Sequence, residues 1–68
     1  MTIRYKFFAA RDADGSLFLY VRRPEKGMAC WIPSSEDSDF FRIDENLLPQ
    51  VVWEHAAPRT VTISVKIL

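Results

Sequence analysis

Apolar residues recur at every second position in two stretches near the start of the chain: Ile3, Tyr5, Phe7 and Ala9, then Leu17, Leu19 and Val21. Side chains of a strand point alternately to opposite faces, so this period predicts half-buried β-strands. The clearest run comes last, where Val61, Ile63, Val65 and Ile67 alternate with Thr60, Thr62, Ser64 and Lys66.

The first two runs are joined by Asp12-Ala13-Asp14-Gly15, a hairpin connection with two possible turns. A two-residue loop, Asp14-Gly15 in a type I′ turn, pairs Ala13 with Ser16 and sets Phe7 opposite Arg22. A type I turn with Gly15 in a left-handed bulge pairs Asp12 with Ser16, and so Phe7 with Val21 and Ala9 with Leu19. Only the bulged form gathers both apolar sets on one face. Burying three aliphatic side chains there is worth roughly 5–9 kcal/mol at most. Turn preferences differ by about 1 kcal/mol, so the bulged turn is predicted.

Arg22-Arg23-Pro24 ends the second strand, because proline cannot donate to a ladder. Glu25-Lys26-Gly27 predicts a turn, residues 28–32 a third strand, and residues 34–39 a polar, acidic loop. Residues 40–43 read as a short strand or an apolar plug. Residues 44–48 fit one helical turn, with Asp44 as N-cap and Pro49 beyond its end. Val51-Val52-Trp53 is extended and apolar. The fold class that follows is mainly β: a small antiparallel sheet or partly open barrel of four to five strands, with an N-terminal hairpin and one short helical turn. Its inner face would carry the hairpin and C-terminal apolar sets, covered by Trp31, Phe40 or Phe41, Leu47, Leu48 and Trp53. With so few residues, the sheet must either curl or leave an apolar face for a partner.

Composition fits a single small domain over residues 1–68. The chain is 49% hydrophobic and 13% aromatic, outside the regime of disordered sequences. Net charge is zero but unevenly spread. Residues 1–27 carry Arg4, Lys6, Arg11, Arg22, Arg23 and Lys26 against three carboxylates, whereas residues 28–58 carry Arg42 against six. That is a bipolar surface, unlike the overall basic balance of a generic nucleic-acid binder. One cysteine, Cys30, allows no intrachain disulfide. No signal-peptide pattern and no apolar run of bilayer length is present, so a cytoplasmic location and no membrane partner are expected.

Candidate chemistry is sparse. The Asp12–Gly15 segment would need an acidic or amide residue at Ala10 and a glutamate at Val21 to read as a calcium loop. Cys30 and His55 lie far apart in sequence without the further ligands or base that zinc or thiol catalysis requires. No cofactor and no enzymatic activity are therefore predicted. The acidic residues 36–39 with Asp44 and Glu45 read as a solvated loop that also complements the basic hairpin. The bulged register places Arg4, Lys6, Phe8, Phe18, Tyr20 and Arg22 together on the outer hairpin face. Three readings of that face compete: a second small core under the middle segment, a protein contact rich in aromatics and arginine, or a stacking platform for single-stranded nucleic acid.

Two segments carry a resemblance. Tyr5-Lys6-Phe7-Phe8-Ala9-Ala10-Arg11-Asp12 through Asp14-Gly15-Ser16-Leu17 resembles the opening of short uncharacterised proteins from gut Bacteroides genomes. Ile43-Asp44, Leu47-Leu48-Pro49, Val51, Trp53-Glu54, Pro58 and Val61 resemble their second half. The resemblance covers most of the chain and implies a prophage or other mobile-element source, with no activity attached. His55-Ala56-Ala57 departs from that group's more acidic stretch. The function expected from the whole is a non-catalytic accessory or protein-interaction module, with a homodimer also open. The alternative is a small single-stranded nucleic-acid-binding domain using the outer hairpin face.

Overall fold

The turn after Asp12 sets the register of the entire sheet. In the computed structural model, which describes residues 1–68, the Asp12 N–H donates to the Ser16 carbonyl at 2.8 Å and the Gly15 N–H to the Asp12 carbonyl at 3.0 Å. Gly15 sits at φ +96°, a region open to glycine and costly for residues with a Cβ. Asp14 Oδ1 accepts the Ser16 N–H at 2.8 Å and locks the bulge. The two flanking strands, β1 (Thr2–Arg11) and β2 (Leu17–Tyr20), therefore pair Ala9 with Leu19 and Arg11 with Leu17. This is the three-residue-loop register, and the odd-numbered apolar residues of the two strands share one face; β2 stops at Tyr20, however, so the expected pair of Phe7 with Val21 does not form.

The strands β3 (Glu25–Lys26), β4 (Trp31–Ile32), β5 (Phe40–Ile43) and β6 (Arg59–Lys66) complete the architecture. An antiparallel four-stranded sheet runs in the order β5-β2-β1-β6, and β3 pairs β4 in a separate two-stranded piece. The large sheet does not close into a barrel. The run at residues 28–32 thus joins no main sheet. Gly27 and Cys30 instead close a tight turn around Met28-Ala29, with the Gly27 N–H on the Cys30 carbonyl at 2.8 Å. A Cβ on Gly27 would lie 2.8 Å from that carbonyl oxygen, so no larger residue fits there without a shift.

The predicted helical turn at residues 44–48 is absent. A single β-turn stands in its place, closed by the Leu47 N–H on the Asp44 carbonyl at 3.0 Å, while Asp44 Oδ1 takes the Asn46 N–H at 2.8 Å. The physical reason lies in Pro49, whose ring disfavours the α conformation at Leu48. Leu48 adopts φ +50° instead.

The core has two halves, one on each face of the hairpin end. On the odd face, Ala9, Leu17, Leu19 and Val51 are buried, with Phe7, Ile43, Leu48, Val61 and Ile63 packed around them. On the even face, Ala10, Tyr20 and Trp31 are buried beside Phe8, Phe18 and Trp53. Trp31 and Trp53 therefore cover the face opposite to the one expected: Trp31 is held there by the hairpin turn, and the chain crosses from the odd face after Val51 to bring Trp53 beside it. Hydrogen bonds hold the small β3–β4 piece on the hairpin turn: Trp31 N–H to Asp12 Oδ1 at 2.9 Å, Trp31 Nε1 to the Arg11 carbonyl at 3.1 Å, and Ala13 N–H to the Ala29 carbonyl at 3.0 Å.

Candidate interaction site

Covering segments stop where β2 stops. β2 ends at Tyr20, opposite Phe8, so Thr2–Phe7 have β6 as their only strand neighbour. A two-stranded ribbon projects from the packed end, about 20 Å long at the usual rise per residue, in a molecule of 42 × 27 × 17 Å.

Of the six residues singled out from the sequence, Arg4, Lys6, Phe8, Phe18 and Tyr20 occupy even-face strand positions, whereas Arg22 lies beyond the end of β2 and has no strand partner; the five divide between two environments. Tyr20 is 2% exposed and belongs to the second core, so it leaves the candidate contact surface. Burial chiefly, with the nearby Asp12 carboxylate and Cys30, pushes its phenol up to about 12. Phe8 and Phe18 are half-buried, while Arg4, Lys6 and Arg22 are exposed. Lys6 Nζ lies 6.0 Å from the centre of the Phe8 ring. Pairing of β5 with β2 brings two further residues to this face: Arg42, opposite Phe18, and Phe40, opposite Tyr20. Phe40 stacks on Tyr20 at 5.5 Å and remains 47% exposed.

The odd face behaves differently. At the packed end the loop of residues 44–51 lies on it, held by Arg11. Beyond that loop the apolar face continues uncovered along the ribbon. Tyr5 is 52% exposed, Val65 46% and Phe41 45%, and half-buried Ile3, Phe7 and Ile63 lie between them. Tyr5 and Phe7 meet at 6.3 Å, and Phe7 meets Phe41 edge-on at 5.7 Å, so the aromatics form a row across the sheet. A shallow apolar groove of about 220 Å³ separates Leu47 and Leu48 from Val61 and Ile63 at its border. Sequence reading assigned the hairpin and C-terminal residues of this set to the inner face and left open whether the sheet curls or leaves an apolar face bare; the structure leaves it bare at the ribbon end.

The remaining polar features are structural in character. Lys26 Nζ donates to the Trp53 carbonyl at 2.5 Å and the His55 carbonyl at 2.8 Å, and lies 4.2 Å from the Trp53 ring centre. Cys30 is exposed in the β3–β4 turn. His55 Nδ1 is buried with no hydrogen-bond partner. No three His, Cys, Asp or Glu residues gather into a group able to hold a metal ion. The Asp14 carboxyl is held below its ordinary value by the Ser16 backbone and side chain.

Fold and surface together define a small open β-sheet domain with one covered end and one bare end. Comparison with protein-family models, curated proteins and solved structures finds no match to this chain. No helix is long and apolar enough to cross a membrane.

Proposed function

We propose that this chain is a non-catalytic protein-interaction module that binds an apolar surface of another protein through the bare odd face of its ribbon end. One observation carries the reading: Ile3, Tyr5, Phe7, Phe41, Ile63 and Val65 share one face, and Tyr5, Phe41 and Val65 are about half exposed on it. Contiguous apolar patches are uncommon on free-standing soluble domains and mark contact sites when present. The aromatic row supplies the large, rigid anchors that dominate interface energies.

Single-stranded nucleic acid remains the second reading. Exposed Phe40 on the same face as Arg4, Lys6 and Arg42 favours it, a face whose strand positions carry no carboxylate. It stands behind the first because Tyr20 is withdrawn into the core.

A photo-reactive residue at position 5 tests the first reading in cells. The expected outcome is a reproducible cross-link to one polypeptide that is lost in Val65→Glu. NMR titration with that purified partner should then shift Ile3, Tyr5, Phe7, Phe41 and Val65. Shifts clustered on Arg4, Lys6, Phe40 and Arg42, or a nucleic-acid adduct alone, would overturn it.

A further inference from the structure

We propose that two copies of this chain pair through the free edges of β6, antiparallel and centred on Ile63, to make one eight-stranded sheet. The proposal does not depend on which molecule covers the odd face.

The argument starts from which backbone groups point outward. The Ile67 N–H donates to the Met1 carbonyl at 3.1 Å, and the β1–β6 register continues from that pair. Hydrogen-bonded and non-bonded positions alternate along an antiparallel ladder. Val61, Ile63 and Val65 therefore direct their N–H and C=O groups at β1. Thr60, Thr62, Ser64 and Lys66 direct theirs away, from the outermost strand of the sheet.

Natural sheets blunt such edges with proline, bulges, central charges or brevity. β6 has none of these: it is eight residues long and regular, with its charges only at Arg59 and Lys66. The other free edges are protected. β5 has four residues. The bare side of β1 presents Arg4 and Lys6, so self-pairing there sets cation against cation.

Outward groups must meet outward groups, which restricts the registers two β6 strands can adopt. The one using the full strand pairs Thr60 with Lys66 and Thr62 with Ser64 of the second copy. Each such pair exchanges two N–H···O bonds, about eight in all. Between them Ile63 faces Ile63 and Val61 faces Val65. Apolar residues meet apolar ones, hydroxyls meet hydroxyls, and no like charges are opposed. Shifting the register by two residues in one direction sets Lys66 against Pro58, which has no N–H to give. A two-fold axis perpendicular to the sheet relates the copies and puts their odd faces on the same side.

Sedimentation from about 10 μM to about 1 mM should show mass rising from monomer to dimer. In a Cys30→Ser background, Ile63→Cys should form an intermolecular disulfide under mild oxidation, because position 63 faces itself at a non-bonded site. Val65→Cys, which faces Val61, should not. Thr62→Lys combined with Ser64→Lys opposes lysines twice on the even face and should weaken the dimer at least about tenfold, with the far-UV spectrum unchanged. A monomer throughout the range overturns the pairing, as does a dimer that ignores the double lysine variant or cross-links through position 65. Such a result leaves the photo-cross-link from position 5 untouched, so the two proposals fail separately.

Discussion

The Arg11 guanidinium donates to main-chain carbonyls drawn from two loops: Gly15 in the hairpin turn, and Glu45, Leu47, Leu48 and Val51 in the segment on the odd face. A guanidinium offers its N–H donors in a fixed planar fork, so these acceptors are held in one arrangement. That arrangement holds Leu48 at φ +50°, where a residue with a Cβ is disfavoured on the order of 1 kcal/mol. Arg11→Met keeps the apolar stem and removes every donor, so the loss should reach about 2–3 kcal/mol, the scale of bonds made by a charged group. Arg11→Lys should recover only part of it. Urea denaturation checks both; a cost near zero for Arg11→Met would show that the loop holds itself. A second single-residue effect follows from Tyr20. Its phenol is pushed from 10.0 up to about 12 by burial first. Between those values the unfolded chain releases the proton and the folded chain keeps it, so stability falls as pH rises through this window. Tyr20→Phe should lack this part of the pH dependence, and absorbance at 295 nm should lose its late ionisation step. Equal alkaline slopes in both proteins would contradict the assignment.

Individual elements differ in how plainly the sequence announces them. The β1–β2 hairpin was readable because period-two patterning and turn chemistry both bear on register, and burial of Leu17, Leu19 and Ala9 outweighs the turn's own preference. β6 was readable from alternation alone. Residues 40–43 left strand and plug open, since Phe40 and Phe41 offer no alternation; pairing with β2 decides the matter and sends them to opposite faces. The helical turn at residues 44–48 was misread because Asp44 suits an N-cap and an Asx-type turn equally well. Trp31 and Trp53 were placed on the wrong side for a different reason. No local pattern records that the chain passes around the end of a sheet; here this depends on the Asp12 and Lys26 side chains catching backbone groups distant in sequence and on the Arg11 carbonyl accepting the Trp31 indole N–H. Of the candidate surface, Arg22 falls beyond the end of β2, whereas the shared strand face of Arg4, Lys6, Phe8, Phe18 and Tyr20 was legible. The withdrawal of Tyr20 under Trp31 was not, because it needs the path of the later segment.

Across the whole molecule, the two ends of the sheet are supported very differently. Around Ala9 and Ala10, which are almost wholly buried, strands flank β1 on both sides and loops lie over both faces. Around Ile3 and Tyr5, β1 has one neighbour and no cover, the condition under which a two-stranded ribbon is marginal in water. Exchange of backbone amides with solvent should therefore divide along a single strand. In dilute protein, the Ala9 and Ala10 amides should exchange only through global unfolding, with a steep dependence on denaturant. The Ile3 and Tyr5 amides bond to the same partner strand as Ala9, yet they should exchange through local opening that denaturant barely affects. Raising the concentration should slow Thr62 and Ser64, whose N–H groups would then be held by the second copy, while Arg4 and Lys6 stay fast. If Ile3 is as protected as Ala10 in dilute solution, the ribbon is rigid by itself. The open end would then owe nothing to a partner, and the apolar row along it would lose its strongest physical claim to being a contact surface.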